Sequence, residues 1–214
     1  MSEQKYGDIR REYEAKELNR EMLDDSPVVQ FQQWLAEARI HHPDDATSMA
    51  LSTLSPEGWP EARIVLLKHC DDAGFIWFTD SRSRKGQALA ANPRAELLFY
   101  WRGMERQVRI QGDVEPLSAA QADEYFNSRP LGSRLSAAAS VQSSEVSGRE
   151  ALEARIEALK AEFPEGDVPR PEPWIGYRLV PKRLEFWQGR ASRLHDRFEY
   201  RLTDNGWAVA RLSP

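Results

Sequence analysis

Cysteine is almost absent from this chain, which carries Cys70 alone among its 214 residues. A single thiol cannot close an internal disulfide, and its neighbours lack the Cys and His spacings of a zinc site. His41 and His42 lie near two aspartates, but adjacent side chains seldom converge on one ion, so no metal is predicted. We therefore expect a protein of a reducing compartment, with the cytoplasm as the default location.

Long apolar runs and a basic surplus are missing as well. No segment reaches the ~20 apolar residues of a membrane span, and the charged N-terminus does not resemble a signal peptide. The net charge of -5 disfavours a general nucleic-acid binder, because affinity for a phosphate backbone needs a basic surplus. We expect a soluble protein with neither a membrane nor a nucleic-acid partner, in which any anion site is local.

The glycine motifs that bind phosphates are missing too. Neither G-x-G-x-x-G nor G-x-x-x-x-G-K-[ST] occurs among the scattered glycines, which excludes a Rossmann pyrophosphate turn and a P-loop. There is no G-x-S-x-G motif, and Cys70 beside His69 has no clear third partner, so nucleophilic catalysis is not predicted. If a phosphate binds to this chain, side chains must hold it.

The apolar pattern predicts one domain with both helices and strands. Short β-like runs separated by turns predict five strands between residues 48 and 114, which is typical of an antiparallel barrel or sandwich. Helical spacing predicts helices within 28–38, 118–129 and 148–163, and a short helix within 81–93 interrupts the strands. Four closing strands are expected around Tyr177, Leu184, Arg197 and Val209. We expect a mobile N-terminal arm, residues 1–25, and a single domain from 26 to 214.

A stripe of charge lies between Phe186 and Tyr200. It places Arg193, His195 and Arg197 at alternating positions, so on a strand all three would project from one face. Such a face is either the solvated outer side of a sheet or a wall that binds anions and handles protons. The stripe alone leaves both interpretations open.

Other cations are candidates for holding a phosphate. Arg63 and Lys68 bracket an apolar strand, a basic group spans 81–85, and Arg129 lies close to Ser133. Arginine offers a bidentate fork and lysine a point charge, although each group alone also fits a solvated surface. Because Arg63 and Lys68 are five residues apart, a regular strand would point them to opposite sides. Groups that suit the edge of a heteroaromatic ring occur at Gln107, Gln142 and Ser143.

A series of ordered motifs runs through nearly the whole chain. They are R-I-V-L-L-K at 63–68, S-R-K-G at 83–86, E-R-Q-V-R at 105–109, Y-F-N-S-R-P at 125–130, Q-S-S at 142–144, E-F-W-Q-G at 185–189 and R-L-H-D-R at 193–197. Together they resemble the pyridoxine (pyridoxamine) 5′-phosphate oxidase family. The resemblance implies an α+β fold, an antiparallel split β-barrel of the FMN-binding type with peripheral helices. It also implies a homodimer whose two active sites lie at the subunit interface.

The reaction implied by the resemblance is an oxidation that depends on flavin mononucleotide (FMN). Pyridoxine 5′-phosphate and pyridoxamine 5′-phosphate would be converted to pyridoxal 5′-phosphate, with dioxygen as electron acceptor and hydrogen peroxide as product. A flavin is needed because no amino-acid side chain accepts a hydride. The alternatives are a non-catalytic flavin- or haem-binding split-barrel protein, which would not need substrate residues, and an FMN reductase with another electron partner.

The resemblance also assigns residues. The implied FMN contacts are Arg63, Ile64, Val65, Leu66, Leu67, Lys68, Phe78, Thr79, Arg84, Lys85, Gln107, Gln142, Ser143, Trp187 and Arg197. The implied substrate contacts are Arg10, Arg11, Glu12, Tyr13, Lys68, Tyr125, Arg129, Ser133, Arg193, Leu194 and His195. Of these, Arg193 and His195 would be catalytic and flank the pyridine ring, while 10–13 would close over it. The sequence departs from the family at Phe78, where tyrosine is common, and in a plainer segment at 136–140.

Overall fold

The computed structural model describes residues 12, 13 and 17–214. These residues form five α-helices and nine strands, which confirms the α+β prediction. The helices are α1 Pro27–His41, α2 Arg84–Ala91, α3 Ala119–Ser128, α4 Leu131–Ala139 and α5 Arg149–Glu162. None of the helices in the described ranges has the length and apolar character needed to cross a membrane.

Hydroxyl caps explain where three of the helices begin. Ser26 and Ser83 each precede a helix, and their side chains accept a hydrogen bond from a backbone N–H three residues on. Ser118 forms a capping box with Gln121, in which each side chain bonds the other residue's backbone N–H. Because the first turn of a helix leaves its N–H groups unpaired, such caps place the helix starts where the sequence predicts them.

Helix α4 was not predicted. Pro130 stands at its N-cap position and provides no side-chain hydrogen bond, so the usual start signal is missing. Gly132 disfavours a helix, and the hydroxyls of Ser133 and Ser136 can compete with helical hydrogen bonding. The helix instead buries Leu135 and Ala139, so tertiary packing outweighs the local sequence.

The strands pair into one sheet. They are β1 Ser48–Leu54, β2 Pro60–Leu66, β3 His69–Asp71, β4 Gly74–Asp80, β5 Arg94–Trp101, β6 Arg106–Pro116, β7 Trp174–Gln188, β8 Asp196–Thr203 and β9 Gly206–Leu212. Their order is β2-β1-β5-β6-β7-β4-β3, with β8 paired to β7 and β9 paired to β8. The pairs β3–β4, β4–β7, β7–β8 and β8–β9 are antiparallel, as predicted.

The prediction of four closing strands was wrong, because Tyr177 and Leu184 belong to one long strand, β7. Pro181 lies inside this strand, although proline cannot donate to a ladder. In the structure, the register of β7 with β4 ends at Leu179 and that with β8 starts at Arg183. Pro181 lies between these two registers, so neither of the two ladders needs its missing N–H.

The chain divides into two compact units. The first unit contains Met1–Met49, Leu97–Ile110 and Lys182–Pro214, and the second contains Ala50–Glu96 and Gln111–Pro181. The expected single domain from 26 to 214 stays a prediction. In the first unit, aromatic rings form much of the core: Phe31 lies 4.9 Å from Phe99 and Phe186 lies 5.5 Å from Tyr200. In the second unit, Trp77 is fully buried and stacks on Tyr177 at 5.8 Å.

Part of the expected N-terminal arm packs within the first unit. Leu18 and Leu23 are buried, and the Leu18 N–H donates to Asp196 Oδ2 at 3.0 Å. The Tyr200 hydroxyl donates to the carbonyl of Asp24 at 2.6 Å. The mobility expected for residues 1–25 stays a prediction, whereas residues 18–24 have these specific anchors.

Candidate functional site

A cavity of about 720 Å³ lies in the second unit. It is lined by all the predicted FMN contacts of that unit except Leu67, which is buried. Its walls come from β2, the end of β4, the start of α2 and the loop after α4. Residues distant in sequence therefore converge on one concave surface, whose volume is in the range of small-molecule sites.

The end of β2 explains how Arg63 and Lys68 reach this same cavity. The expectation that they face opposite sides was wrong, because the strand ends at Leu66 and the alternation stops there. Lys68 lies beyond that end, with its backbone N–H bonded to the carbonyl of Ile76 at 2.8 Å. Both side chains consequently line the cavity.

Arg63 is held in place by several acceptors. Its guanidinium donates to Thr53 Oγ1 at 2.7 Å, to the Leu51 carbonyl at 3.1 Å and to Glu61 Oε2 at 2.9 Å. Burial lowers the pKa of Arg63, although Glu61 acts in the opposite direction. The arginine is thus a fixed cation in the cavity wall.

Lys85 is a buried cation in the same wall. Its Nζ donates to Gln142 Oε1 at 2.6 Å, to Thr79 Oγ1 at 3.1 Å and to Ser83 Oγ at 3.3 Å. Burial lowers the pKa of Lys85 to about 8, and the positive charge of Arg63 adds to the shift. These three partners are neutral oxygens, and the negative charge of Asp80 opposes the pKa shift only in part. Because no carboxylate of the described residues bonds the ammonium group directly, Lys85 favours an anionic ligand.

The loop after α4 reaches the cavity with a strained backbone. Ser143 has φ of 70°, in the left-handed region that only glycine adopts freely. Its hydroxyl accepts a hydrogen bond from the Arg84 N–H at 3.3 Å, at the first residue of α2. Of the four non-glycine residues with positive φ in the described chain, Ser143 and Arg193 are predicted site residues, Ser192 directly precedes Arg193, and Glu105 opens the motif E-R-Q-V-R. Such strain is typical of functional sites.

The residues of the second unit that are predicted to bind the substrate phosphate do not all lie at one cavity. Tyr125 stacks on Phe78 with ring centroids 4.1 Å apart, and Phe78 also lines the large cavity, as Lys68 does. Arg129 instead lines a second cavity of about 390 Å³, and Ser133 lies half-buried in the first turn of α4.

Arg129 is distinguished by its surroundings. Its Cζ lies 4.8 Å from the ring centre of Trp174 and 5.7 Å from that of Phe126. Its Nη1 is buried and has no hydrogen-bond partner among the described residues, and burial lowers the pKa of Arg129. A desolvated guanidinium without a bond at Nη1 is suited to receive an anion.

A group of aromatic side chains in the first unit contains the remaining ring contacts. His195 lies 4.6 Å from Trp187 and 5.0 Å from Tyr13, measured between ring centres. Tyr13 also approaches Gly189, where an added Cβ would lie 2.5 Å from Tyr13 Cδ1. Glu12 is exposed, and Arg10 and Arg11 lie outside the described residues.

The tautomer of neutral His195 follows from its hydrogen bond. Its Nδ1 accepts from the Arg190 N–H at 3.1 Å, so the proton of the neutral ring is on Nε2. Burial lowers the pKa of His195, and Arg193 adds to this effect. The ring is therefore biased toward the neutral form, with one donor nitrogen.

The charged stripe is not a strand face, and this expectation was wrong. Strand β8 begins at Asp196, and 191–193 form a short 3-10 turn in which Ser192 and Arg193 have positive φ. Of the three residues of the stripe, only Arg197 lies on the strand. Leu194 is exposed rather than directed toward a core.

Arg197 belongs to a network of paired charges. Its Nε donates to the buried Glu185 at 2.8 Å and its Nη1 to the Ser213 carbonyl at 2.7 Å. Glu185 also lies 3.7 Å from Arg109, and hydrogen bonding to Glu185 raises the pKa of Arg197. Gln107, another predicted FMN contact, is half-buried on β6.

Sequence reasoning missed two residues of these groups. Trp174 had no signal beyond its position after a proline-rich linker. Glu185 lies within the motif E-F-W-Q-G, but a glutamate in a strand gives no indication that it pairs with an arginine twelve residues on.

Comparison with known proteins identifies the family of the chain. Residues 36–162 match the family model described as pyridoxamine 5′-phosphate oxidase. Residues 174–214 match the model described as the pyridoxine 5′-phosphate oxidase C-terminal dimerisation region. The pyridoxine/pyridoxamine 5′-phosphate oxidase of Ralstonia pickettii is 54% identical over 209 residues, which cover 97% of this chain and 98% of the relative. A protein of the same name from Cyanothece sp. is 51% identical over 207 residues, or 97% of each chain.

Comparison with solved structures supports the same family. PhzG from Burkholderia lata, crystallised with tetrahydrophenazine-1-carboxylic acid, superposes with a TM-score of 0.87 at 33% identity, covering 94% of this chain and 99% of that one. An FMN-binding protein related to pyridoxamine 5′-phosphate oxidase, from Nostoc punctiforme, gives a TM-score of 0.71 at 18% identity over 88% and 98% of the two chains. The latter likeness concerns the fold alone, and it confirms the predicted split-barrel class. By sequence and by fold, the chain belongs to the pyridoxamine 5′-phosphate oxidase family.

Proposed function

We propose that this protein oxidises pyridoxine 5′-phosphate and pyridoxamine 5′-phosphate to pyridoxal 5′-phosphate with FMN as cofactor. Dioxygen accepts the two electrons and two protons, giving hydrogen peroxide, and the amine substrate also takes up water and releases ammonia. The observation that carries the proposal is the large cavity, in which cations and neutral hydrogen-bonding groups converge from several elements. The protein acts as a homodimer, which the match to a dimerisation region supports.

The residues of the large cavity fit FMN. Its phosphate requires several donors in the absence of a glycine-rich loop, and Arg63, Arg84 and Lys85 all line this cavity. Lys85 in particular is held by neutral oxygens and gains from an anion nearby. In the first unit, Gln107, Trp187 and Arg197 are assigned to the same cofactor, with the sites at the subunit interface of the dimer.

When bound, FMN supplies a hydride acceptor that dioxygen can reoxidise, which no side chain provides. The role of the protein is to bind and orient the substrate. Lys68, Tyr125, Arg129 and Ser133 hold its phosphate, so that binding energy remote from the reacting carbon fixes its position.

Arg193 and His195 act at the pyridine ring. The positive charge of Arg193 stabilises negative charge that develops near the ring oxygen or the 4′ substituent. His195, with its proton on Nε2, offers one hydrogen-bond donor and packs against Trp187. Tyr13 completes this aromatic group from the N-terminal segment.

The test is an aerobic assay on the purified protein after FMN loading. We expect a yellow protein that forms aldehyde and peroxide in equal amounts from pyridoxine 5′-phosphate, with no activity when oxygen is excluded. Turnover only with another electron acceptor would favour an FMN reductase, and bound FMN without turnover would favour a flavin-binding protein. Tetrahydrophenazine-1-carboxylic acid serves as the control substrate, because oxidation of that compound alone would contradict the assignment of a phosphate ester.

A further inference from the structure

Three aromatic rings stack between the two cavities of the second unit. Phe78 lies 4.1 Å from Tyr125 and 5.3 Å from Trp174, and Tyr125 lies 6.2 Å from Trp174, all between ring centres. The planes are within 19° of parallel. Phe78 lines the large cavity and Trp174 the smaller one, so the stack connects the two walls. The stack requires only an aromatic ring at position 78, so phenylalanine can replace the tyrosine that is common there in the family.

Trp174 is also the surface on which Arg129 rests. The guanidinium lies 4.8 Å above the indole, and its Nη1 is buried without a hydrogen-bond partner in the described part of the chain. A carboxylate partner would occupy the donors of an arginine and neutralise its charge. An aromatic face attracts the cation while leaving its N–H groups available for a ligand.

Trp174 is itself rigidly held. It pairs in register with Asp80 at the start of β7, and its carbonyl accepts from Arg170 Nη1 at 2.8 Å. The same arginine bonds Asp123 on α3 at 2.6 Å. Helix α3 carries Tyr125 and is followed directly by Arg129, so one arginine ties the helix to the tryptophan.

From these contacts we infer that Trp174 is a positioning residue for the substrate phosphate. Its indole orients Arg129, and through Phe78 it orients Tyr125. The inference rests on the proposed function, because it takes the anion to be the phosphate of that substrate. Trp174 touches neither the reacting carbon nor the cofactor in this role, so it acts on substrate affinity rather than on the chemical step.

The experiment compares Trp174→Leu and Trp174→Phe with Tyr177→Leu as the matched control. Tyr177 is on the same strand, is equally buried and stacks on Trp77, but its odd spacing from Trp174 puts it on the other face. Two quantities are measured on FMN-loaded protein: steady-state kinetics with pyridoxine 5′-phosphate, and the Kd of inorganic phosphate by titration.

We expect a graded loss of phosphate affinity. Trp174→Leu raises KM and the phosphate Kd roughly tenfold, and Trp174→Phe raises them roughly threefold because phenylalanine attracts cations more weakly. We expect kcat to change less than about twofold, because the contact with the phosphate is equally strong in the bound substrate and in the transition state. Tyr177→Leu leaves both KM and the phosphate Kd within about twofold of the parent.

Two outcomes overturn the inference: an unchanged phosphate Kd in the Trp174 variants, or an equal rise in Tyr177→Leu, which would indicate general loosening of the unit. If Trp174→Leu does not fold, the threefold shift in Trp174→Phe decides. Failure of the proposed function is distinguishable, because parent protein that does not turn over pyridoxine 5′-phosphate still allows the phosphate titration. Parent protein that binds no phosphate would overturn the inference itself.

Discussion

Two cations of the second unit are held differently from three buried carboxylates of the first unit. In the first unit, the buried carboxylates Glu185, Asp196 and Glu199 each contact at least one arginine. In the second unit, Lys85 is held by neutral oxygens and Arg129 by aromatic faces. Paired charges contribute to the fold, whereas a desolvated cation without a directly bonded carboxylate costs stability and gains when an anion binds. The difference separates a network of paired charges from a surface that is suited to an anion.

The register of β7 and β8 shows why the first network needs its arginines. Glu185 and Glu199 are directly opposite each other, and like charges in that arrangement repel. Arg109 and Arg197 flank the first carboxylate, while Arg183 and Arg201 flank the second. Each glutamate is thus balanced separately, and the two provide a matched pair for mutation.

The largest effect is expected for Arg193→Ala, which lies outside this paired network and is exposed. We expect kcat and kcat/KM to fall together by on the order of 10²-fold, because a positioned charge is lost in the transition state. FMN affinity should stay nearly unchanged, whereas Arg197→Ala should lower both FMN affinity and turnover. Steady-state kinetics and FMN titration measure the difference.

His195→Ala should have a smaller effect on turnover than Arg193→Ala. If all three variants oxidised the substrate at the rate of the parent protein, the active site would lie elsewhere.

Arg129→Ala tests the unpaired cation of the second unit. We expect KM for pyridoxine 5′-phosphate to rise between roughly tenfold and 10²-fold, from the loss of charge-assisted bonds worth about 1.5–3 kcal/mol. The thermal midpoint of the ligand-free protein should not fall, since a desolvated charge is removed. Arg82→Ala is the control in the same unit, because Arg82 pairs with the buried Asp80. That control should lose stability with KM unchanged, and the reverse pattern would contradict the comparison.

Lys85 predicts how FMN affinity depends on pH. A bound phosphate favours the ammonium form, so FMN binding raises the pKa of Lys85 above its value of about 8 in the free protein. From about pH 7 to 8 the lysine is charged in both states and the phosphate is largely a dianion, so the Kd is nearly flat. Above about pH 8 binding requires proton uptake, so the Kd rises by up to tenfold per pH unit. Fluorescence titration of FMN measures this slope, which Lys85→Arg should abolish. If the Kd of the parent protein did not change above about pH 8, Lys85 would not bind the flavin phosphate.

The smallest expected effect comes from the opposed glutamates. Glu185→Gln and Glu199→Gln should each cost about 1 kcal/mol of unfolding free energy, because their arginine partners are partly exposed. Only Glu185→Gln should also weaken FMN binding, by roughly threefold, since only Glu185 orients Arg197. Urea denaturation and FMN titration give the two values. An equal change of FMN affinity in both variants would make Glu185 purely structural.

Local signals in the sequence predicted much of the fold. Ser26 and Ser118 mark helix starts because a cap depends on neighbouring residues alone. The continuity of β7 was missed because it depends on which partner strands flank each half, and α4 was missed because its stability comes from packing of Leu135 and Ala139. Tertiary context decided in both cases.

The candidate site was predicted through motifs rather than spacing. The matched motifs named the residues that line the large cavity, but alternation misplaced Arg193, because two residues with positive φ interrupt the strand pattern. Trp174 escaped notice since its role depends on a ring contact with Arg129, forty-five residues earlier, and no local pattern records such a contact.

Gly189 has a consequence for engineering access to the aromatic group. Tyr13 fits beside Gly189 only because glycine has no side chain, since a Cβ there would lie well inside contact distance of the tyrosine ring. An alanine at this one position would therefore displace Tyr13 from Trp187 and His195, and would also press on Glu105, whose Cβ would lie 3.0 Å away. The contact of Tyr13 with the aromatic group can thus be changed separately from the residues assigned to the chemistry, which gives selection or design one position at which to alter substrate range.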